Sequence, residues 1–472
     1  MTTAMGKEKL RGKDLREIGF PEGKVISITL DLMIKHYKRQ SKEEQLDLLS
    51  DLIEHRTKYQ DDPVLGRVVR ELADPVKKAV PAEIPLRNDE PGFAVYGPEH
   101  IEPGALKQME TAMRLPVAVA GALMPDAHQG YGLPIGGVLA VENAVIPYGV
   151  GVDIGCRMCL TLYDLPVTML DRNTQQLKQY LQNNTVFGAG NGFDKPMDHE
   201  VLDRPEFQEI KVVQGLKDKA WRQIGSSGSG NHFVEFGLVE VTGEDRQLNV
   251  PPGQYLAILS HSGSRGLGAT IAGHYTKVAM EACPLPAVAR HLAYLGLDTE
   301  PGQEYWRAMN LAGDYASACH HQIHQRLAKA LGEKPLVLVE NHHNFAWQEK
   351  LADGREMIVH RKGATPAGKG VLGIIPGSMT APGFVVRGRG VPESLQSASH
   401  GADRRMSRRH ALDTISARDV KEVLQAHKIE LIGGGIDEAP MAYKDIRTVM
   451  QSQQDLVDVL GTFTPRVVRM DK

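Results

Sequence analysis

The sequence has few cysteines and lacks the features that mark a secreted or membrane protein. Its 472 residues include Cys156, Cys159, Cys283 and Cys319. Their spacing gives no disulfide framework, and the pair Cys156 and Cys159 lacks the second pair that a zinc ribbon needs. No uncharged apolar run of about 18 residues occurs, and no apolar leader segment is present. We therefore expect a cytoplasmic protein with no membrane contact.

The sequence also lacks a large net charge and a Walker A nucleotide-binding motif. The formal net charge is −3, so no global field attracts polyanions, and a nucleic-acid partner would need a local basic face. There is no Walker A motif and no internal repeat. A standard phosphate-binding loop is therefore excluded.

Two regions differ in composition, and together they predict a mixed α/β fold. Residues 1–85 are rich in Lys, Glu, Asp and Leu, with apolar residues at helical spacing, and predict a small helical appendage. Residues 86–472 alternate short apolar strands with helices and predict one large catalytic domain. The predicted strands are 117–120, 256–260, 336–339 and 384–387. The predicted helices are 204–222, 267–282, 305–330 and 417–427.

The stretch 153–156 is the strongest sign of chemistry, because a carboxylate and a thiol lie three residues apart among Gly and apolar residues. Burying Asp153 is costly unless it is paired. A bound cation would neutralise Asp153 and a Cys156 thiolate together. The sequence therefore predicts a metal site for which the rest of the chain supplies further ligands.

Histidines beside Gly, Ser or Asn are the natural further ligands. His232, His261 and His343 each stand in such a context, and several such histidines lie near the end of an apolar strand. His360 and His400 share this setting. Together with Asp153 and Cys156, the first three make a mixed set of hard and soft ligands, more than one tetrahedral zinc needs. Two ions bridged by Cys156 would use them all, and a single structural zinc is the alternative.

His400 lies just before four arginines, at positions 404, 405, 408 and 409. Arginine binds phosphate bidentately, and a neutral imidazole can attack phosphorus to form a phosphoramidate. A solvated basic helix start is the alternative interpretation. The turn 376–379 follows an apolar strand and could offer backbone N–H groups to a phosphate.

Taken together, these segments resemble the RNA-splicing ligase RtcB family. The matching segments occur in family order and are residues 124–137, 149–156, 228–233, 261–268, 342–344, 360–365, 376–379, 399–402 and 437–445. The resemblance implies a GTP- and Mn²⁺-dependent ligase that joins an RNA 3′-phosphate or 2′,3′-cyclic phosphate to a 5′-hydroxyl. The implied ligase would act in RNA repair or tRNA splicing. The resemblance does not decide whether an accessory activator is needed as a further partner.

The resemblance also implies roles for individual residues. His400 would take GMP from GTP as the nucleophile, and Asp153, Cys156, His232, His261 and His343 would hold two Mn²⁺. Arg265, Arg404 and Arg408 are candidates for RNA or phosphate contacts. The GTP pocket would be lined by Asn231, Glu235, Asn344, Pro376, Gly377, Ser378, Met379, Gly383, Gly401, Ala402, Asp403, Tyr443 and Lys472.

This sequence departs from the family pattern close to the nucleophile. The family usually has Cys-His-Gly-Ala-Gly-Arg, whereas Ser399 and Asp403 replace the Cys and the second Gly here. Gly383 stands where the family often has Ser. These departures suggest a divergent paralogue. Two alternatives to a ligase therefore stay open: a paralogue that guanylylates or caps 3′-phosphate ends, and a catalytically weak RNA-binding protein.

Overall fold

A computed structural model of the chain describes residues 10–21, 23–72, 82–89 and 91–472. The chain divides into two compact units, Met1–Ala82 and Glu83–Lys472. The division expected from composition was between residues 85 and 86. In the described part of the chain, no helix is both long and apolar enough to cross a membrane.

The first unit is helical, as predicted. Ser41 begins α3 with a capping box, in which its hydroxyl accepts from the Glu44 backbone N–H and the Glu44 carboxylate accepts from that of Ser41. Buried side chains at helical spacing, such as Leu49 and Leu52, form a core that belongs to this unit. The helices are α1 Gly12–Glu17, α2 Lys24–His36, α3 Lys42–Glu54 and α4 Gly66–Leu72.

The second unit mixes helices with strands, which confirms the predicted fold class. Its longest helices are α12 and α13, close to their predicted bounds. The helices are α5 Pro103–Met113, α6 Pro147–Val150, α7 Met169–Arg172, α8 Thr174–Asn184, α9 Glu206–Glu209, α10 Lys211–Gln214, α11 Lys217–Gln223, α12 Arg265–Ala282, α13 Glu300–Leu331, α14 Arg408–Thr414, α15 Ala417–Ala426 and α16 Ile446–Gln451.

The prediction of one helix over residues 204–222 is wrong, because this stretch forms three short helices, α9, α10 and α11. Ile210 adopts an extended conformation between the first two, with φ −96° and ψ 113°. Gly215 follows the second, and glycine weakens a helix interior. The apolar spacing alone did not reveal these interruptions.

The strands form two main sheets. One has the order β1-β2-β3-β11-β10, and the other β13-β14-β17-β6-β7-β5-β9, with β16 added beside β17. The strands are β1 Ala94–Val95, β2 Ala118–His128, β3 Ile135–Val141, β4 Ala144–Val145, β5 Arg157–Tyr163, β6 Phe233–Val241, β7 Gly253–Ser262, β8 Leu295–Gly296, β9 Val337–His342, β10 Asn344–Lys350, β11 Glu356–Lys362, β12 Ala364–Pro366, β13 Leu372–Ile375, β14 Gly383–Gly388, β15 Ser397–Ser399, β16 Glu430–Ile432 and β17 Val457–Met470.

The larger sheet buries both of its faces, and strand alternation assigns each residue to one of them. On β7, Leu256 and Ile258 pack in a cluster with residues of α8 and α13. Ala257 and Leu259 pack on the opposite face. Alternation then carries His261 to the same face as Leu259, away from α13.

Candidate active site

The predicted metal ligands meet at one end of four neighbouring strands, β6, β7, β5 and β9. Cys156 directly precedes β5, His232 directly precedes β6, and His343 directly follows β9. His261 lies near the end of β7, opposite Phe233 of β6. Since these strands are antiparallel neighbours, their register brings residues far apart in sequence to one edge.

The side chains of this group are within contact distance of one another. Cys156 Sγ lies 3.2 Å from His261 Nε2 and 3.5 Å from His232 Nε2. His232 Nε2 lies 2.9 Å from Asp153 Oδ2. His261 Nε2 lies 3.2 Å from His343 Nε2. All five residues predicted as ligands are therefore brought together.

The hydrogen bonding of His261 leaves a lone pair facing the group. Its Nδ1 lies 3.1 Å from the carbonyl oxygen of Asn231, which can only accept, so Nδ1 carries the proton. The other nitrogen, Nε2, then faces Cys156 and His343 with its lone pair. Nδ1 of His232 and Nδ1 of His343 are buried without a partner. The convergence of Nε2 of His261, Nε2 of His343 and Sγ of Cys156 is costly unless a cation lies among them.

Burial governs the protonation of these ligands. It lowers the pKa of His261 to about 3 and that of His343 well below its ordinary value, so both rings are neutral. Burial, together with the charge of Asp153, raises the pKa of the Cys156 thiol well above its ordinary value. Burial also raises the pKa of Asp153, but the electrostatic interaction and the hydrogen bond with His232 outweigh burial and lower the value to about 2.

Two glycines allow the ligands to approach closely. A Cβ at Gly263 would lie 2.0 Å from Asp153 Oδ1, and a Cβ at Gly228 would lie 1.9 Å from His232 Nδ1. Any larger residue would displace the ligand side chain. This cradle, the neutral imidazoles and the thiol together fit a transition-metal ion.

A second buried cluster, Cys159, His320 and His324, lies on the α13 face of the same sheet. Ser260 Oγ lies 2.6 Å from His320 Nδ1 and 2.8 Å from His324 Nε2. The remaining ring nitrogens bond to the carbonyl of Ser262 and the hydroxyl of Thr161. Because every ring nitrogen has a partner, this cluster is a hydrogen-bonded network rather than an open ligand set.

His400, the predicted nucleophile, lies next to the ligand group and is oriented by a buried carboxylate. Its ring centroid is 4.8 Å from that of His343. Its Nδ1 lies 2.8 Å from Asp126 Oδ2, which also accepts from the backbone N–H of His400 at 3.1 Å. Burial lowers the pKa of His400, but the bond to Asp126 and its charge outweigh burial and raise it. With Nδ1 protonated toward Asp126, Nε2 holds the reactive lone pair.

Asp403 adopts a backbone conformation that glycine adopts without strain. Its φ is +50°, in the left-handed region that Asp tolerates better than most residues. Its carboxylate lies 2.6 Å from His128 Nδ1 and accepts from the backbone N–H of Arg404. Burial raises the pKa of Asp403, but the charge of His128 outweighs it and lowers the value to about 2. The Asp403–His128 ion pair thus lies beside His400.

These groups line one cavity of about 300 Å³. Burial raises the pKa of Glu235 in its wall well above the ordinary value. Of the residues predicted for the site, those lining the cavity are Asp153, Cys156, Asn231, Glu235, His261, His343, Asn344, Pro376, Gly377, Ser378, Met379, Gly383, His400, Gly401, Ala402, Asp403, Arg404 and Tyr443.

Four residues predicted for the site do not line this cavity. His232 contacts Asp153 and Cys156 without lining the cavity, and Lys472 is exposed just after β17. Arg265 is buried, and its guanidinium donates to the Gly188 carbonyl at 2.6 Å and to Ser226 Oγ at 3.1 Å. These bonds occupy the Arg265 guanidinium, so the geometry does not support its predicted RNA contact. Arg408 is the fourth predicted residue that does not line the cavity.

Arg404 and Arg408 both bind Glu438, which is buried in the wall of the cavity. Arg404 Nη1 lies 3.2 Å from Glu438 Oε2, and Arg408 Nη1 lies 2.6 Å from Asp437 Oδ2 and contacts Glu438 as well. The Tyr443 hydroxyl donates to the same Glu438 carboxylate. The positive charge of the arginine segment is therefore partly compensated within the protein.

Sequence reasoning missed three residues of the site: Asp126, His128 and Glu438. Each lies in a segment that matched the family pattern, but none was given a role. Asp126 is 274 residues from its partner His400. The available signal was an acid inside an otherwise apolar strand, since a buried carboxylate needs a partner.

Comparisons with known proteins identify the family of this chain. The family model described as tRNA-splicing ligase RtcB matches residues 108–471. The RNA-splicing ligase RtcB of Escherichia coli (strain K12) is 34% identical over 397 residues, covering 77% of this chain and 93% of the relative. The tRNA-splicing ligase RtcB of Aeropyrum pernix is 32% identical over 403 residues, covering 70% and 83%. The chain therefore belongs to the RtcB family of tRNA-splicing ligases.

Proposed function

We propose that this protein is a GTP- and Mn²⁺-dependent RNA ligase that joins 3′-phosphate or 2′,3′-cyclic phosphate ends to 5′-hydroxyl ends. The observation that carries the proposal is the position of His400. Its Nδ1 is fixed by Asp126, and its ring stands 4.8 Å from that of His343 in the same cavity as the ligand group. The names of the relatives support RNA as the substrate.

His400 acts first, on GTP. Its Nε2 attacks the α-phosphorus, a P–N bond forms, and the bond to pyrophosphate breaks. Asp126 holds the Nδ1 proton and stabilises the positive charge that develops on the ring. An oxygen of the RNA 3′-phosphate then takes the guanylyl group from the histidine, which restores the free imidazole.

The activated RNA end is then joined. The 5′-hydroxyl oxygen attacks the terminal phosphorus, GMP leaves, and the hydroxyl proton passes to solvent. A cyclic phosphate must first be opened by water. GMP is needed because a phosphate monoester by itself lacks a good leaving group.

Asp153, Cys156, His232, His261 and His343 would hold two Mn²⁺, with Cys156 shared between them. The ions supply positive charge that offsets the charge of the phosphates in the transition state. The neutral imidazoles and the close approach allowed by Gly263 support this assignment. Asn344 and the turn 376–379 would contact the nucleotide, and Lys472 is proposed for the same pocket.

The first experiment tests guanylylation. Incubation with [α-³²P]GTP and Mn²⁺ should label the wild-type protein, and His400→Ala should abolish the label. Cys156→Ala should lose both metal binding and labelling while it retains the wild-type circular dichroism spectrum. Normal labelling in Cys156→Ala would refute the bridging role, and an unlabelled wild type would leave only a binding function.

The second experiment separates ligation from capping. RNA with a 3′-phosphate and RNA with a 5′-hydroxyl are mixed with the labelled enzyme, and the products are resolved by size. A joined strand supports ligation. Accumulation of RNA with a guanylylated 3′ end and no joined strand would favour the capping paralogue. The structural reason to test this alternative is the buried carboxylate of Asp403, which lies beside His400.

A further inference from the structure

Three aromatic rings form a cluster at the surface beside the active site. Tyr131 is 68% exposed. Its ring centroid lies 5.8 Å from that of His291 and 6.4 Å from that of Tyr148, and the latter two rings are 5.2 Å apart. Single exposed apolar residues are common, but a group of aromatic rings with one face open to solvent is typical of a binding surface.

The cluster is held in place before anything binds. Lys362 Nζ donates to the carbonyl of Tyr131 at 2.6 Å and lies 5.0 Å from the centre of the Tyr148 ring. A Cβ at Gly132 would come within 2.8 Å of the His291 carbonyl oxygen, so the loop after Tyr131 packs directly on that backbone. A ring fixed in this way loses little conformational entropy when a ligand stacks on it.

The chain itself places the cluster next to the cavity. His128 lines the cavity and precedes Tyr131 by three residues, a span of at most about 11 Å. Gly363 also lines the cavity and directly follows Lys362. Val152, the neighbour of Asp153, is 47% exposed. The aromatic cluster therefore lies at the rim of the site.

The cavity alone has too little room for every substrate of the proposed reaction. About 300 Å³ is at the low end for a small-molecule site, so GTP and an RNA end do not fit in it together. At least some of the nucleosides attached to the reacting phosphate and hydroxyl groups must therefore lie outside the cavity. Lys362 is buried and its Nζ donates to the Tyr131 carbonyl, so it holds the rim in place from within the protein.

We propose that Tyr131, Tyr148 and His291 form a stacking platform for the unpaired terminal nucleotide of an RNA whose end enters the His400 cavity. This rests on the proposed RNA ligase function. An aromatic face stacks on any base, so the platform accepts RNA ends without regard to sequence. Tyr131 supplies the solvent-exposed ring, and the rings of Tyr148 and His291 pack against it.

The test uses the full chain loaded with Mn²⁺ and two fluorescent RNAs. One carries 2-aminopurine as the 5′-hydroxyl terminal base, and the other carries it next to the 3′-phosphate. Stacking on Tyr131 should quench at least one of them, which identifies the end that uses the platform. Tyr131→Ala should remove that quenching and raise the dissociation constant about tenfold. Tyr131→Phe should behave like the wild type.

Controls distinguish stacking from general damage. Leu336→Ala removes another exposed apolar side chain, 48% exposed and at the opposite end of β9 from the site, and should leave RNA binding unchanged. Labelling by GTP should be equal in all of these proteins, because it needs no RNA. If the wild type is neither labelled nor active in ligation, the proposed function fails while the quenching still reports on the platform.

Three results would overturn the platform. The first is an absence of quenching with both RNAs in the wild type. The second is quenching in Tyr131→Ala as strong as in the wild type. The third is an equal loss of affinity in Tyr131→Ala for an RNA whose terminal nucleotide has no base, since a stacking role requires that base.

Discussion

Asp126 fixes the tautomer of His400 with a single oxygen atom. Oδ2 accepts from His400 Nδ1 and from two successive backbone N–H groups, those of His400 and Gly401. The carboxylate is fully buried, and its other oxygen has no partner. A buried carboxylate with an unpartnered oxygen lowers the stability of the fold. Asp126 is therefore better explained by a functional role, which is to orient the His400 ring.

Asp126→Asn should therefore slow guanylylation by about 10²- to 10⁴-fold without unfolding the protein. The amide carries no charge to stabilise the ring as it becomes cationic, and its NH₂ group can donate to Nδ1 and favour the wrong tautomer. The measurement is the initial rate of labelling by [α-³²P]GTP. Asp171→Asn, an exposed aspartate on α7, serves as the matched control. A labelling rate within about twofold of the wild type would remove Asp126 from the mechanism.

Asp403 should weaken nucleotide binding, because its buried carboxylate faces the cavity in which phosphates are proposed to bind. Its pKa of about 2 keeps it ionised at neutral pH. Asp403→Gly removes that charge and also suits a φ of +50°. We expect the KM for GTP to fall by about threefold to tenfold, measured from the labelling rate against GTP concentration.

Asp403→Asn separates charge from backbone conformation, since Asn also tolerates a positive φ. If the asparagine variant lowers the KM as much as the glycine variant does, the charge is responsible. If both variants raise the KM, then the pair with His128 helps to bind GTP, and Asp403 is an adaptation of this chain.

At the scale of elements, strands were easier to predict than the contacts between them. The strand predicted at 256–260 lies inside β7, and that at 384–387 lies inside β14. Short apolar runs are a local signal, and these two form strands in the fold. The helix predicted at 204–222 failed because Ile210 and Gly215 interrupt it locally. The bond between Asp126 and His400 could not be read from the sequence, since it depends on how two distant strands pack.

The glycine just beyond β7 should control metal binding. Gly263→Ala places a Cβ about 2 Å from Asp153 Oδ1, so the carboxylate must move away from His232. Gly273→Ala, in the middle of α12 where a Cβ meets nothing within 4 Å, is the matched control. Calorimetric titration with Mn²⁺ should show weaker binding by at least about tenfold in Gly263→Ala only. The control should instead gain up to about 1 kcal/mol of stability.

The whole molecule consists of two units, each with a hydrophobic core of its own. The first core is built from α1 to α4 and includes Leu15 and Leu49. The cores of the second unit surround the sheets that carry the site. The predicted boundary between a helical extension, residues 1–85, and a catalytic domain, residues 86–472, stays a prediction. All of the ligands lie in the second unit.

This separation predicts two thermal transitions, of which only one responds to metal. A ligand that binds the folded state raises its stability by about 2.7 kcal/mol at a hundred times its dissociation constant, and the proposed Mn²⁺ ligands all lie in the second unit. In scanning calorimetry, we expect Mn²⁺ to raise the melting temperature of the larger transition by several degrees. The smaller transition should not move. Cys156→Ala should abolish the shift, and a shift of both transitions would show that the two units unfold as one.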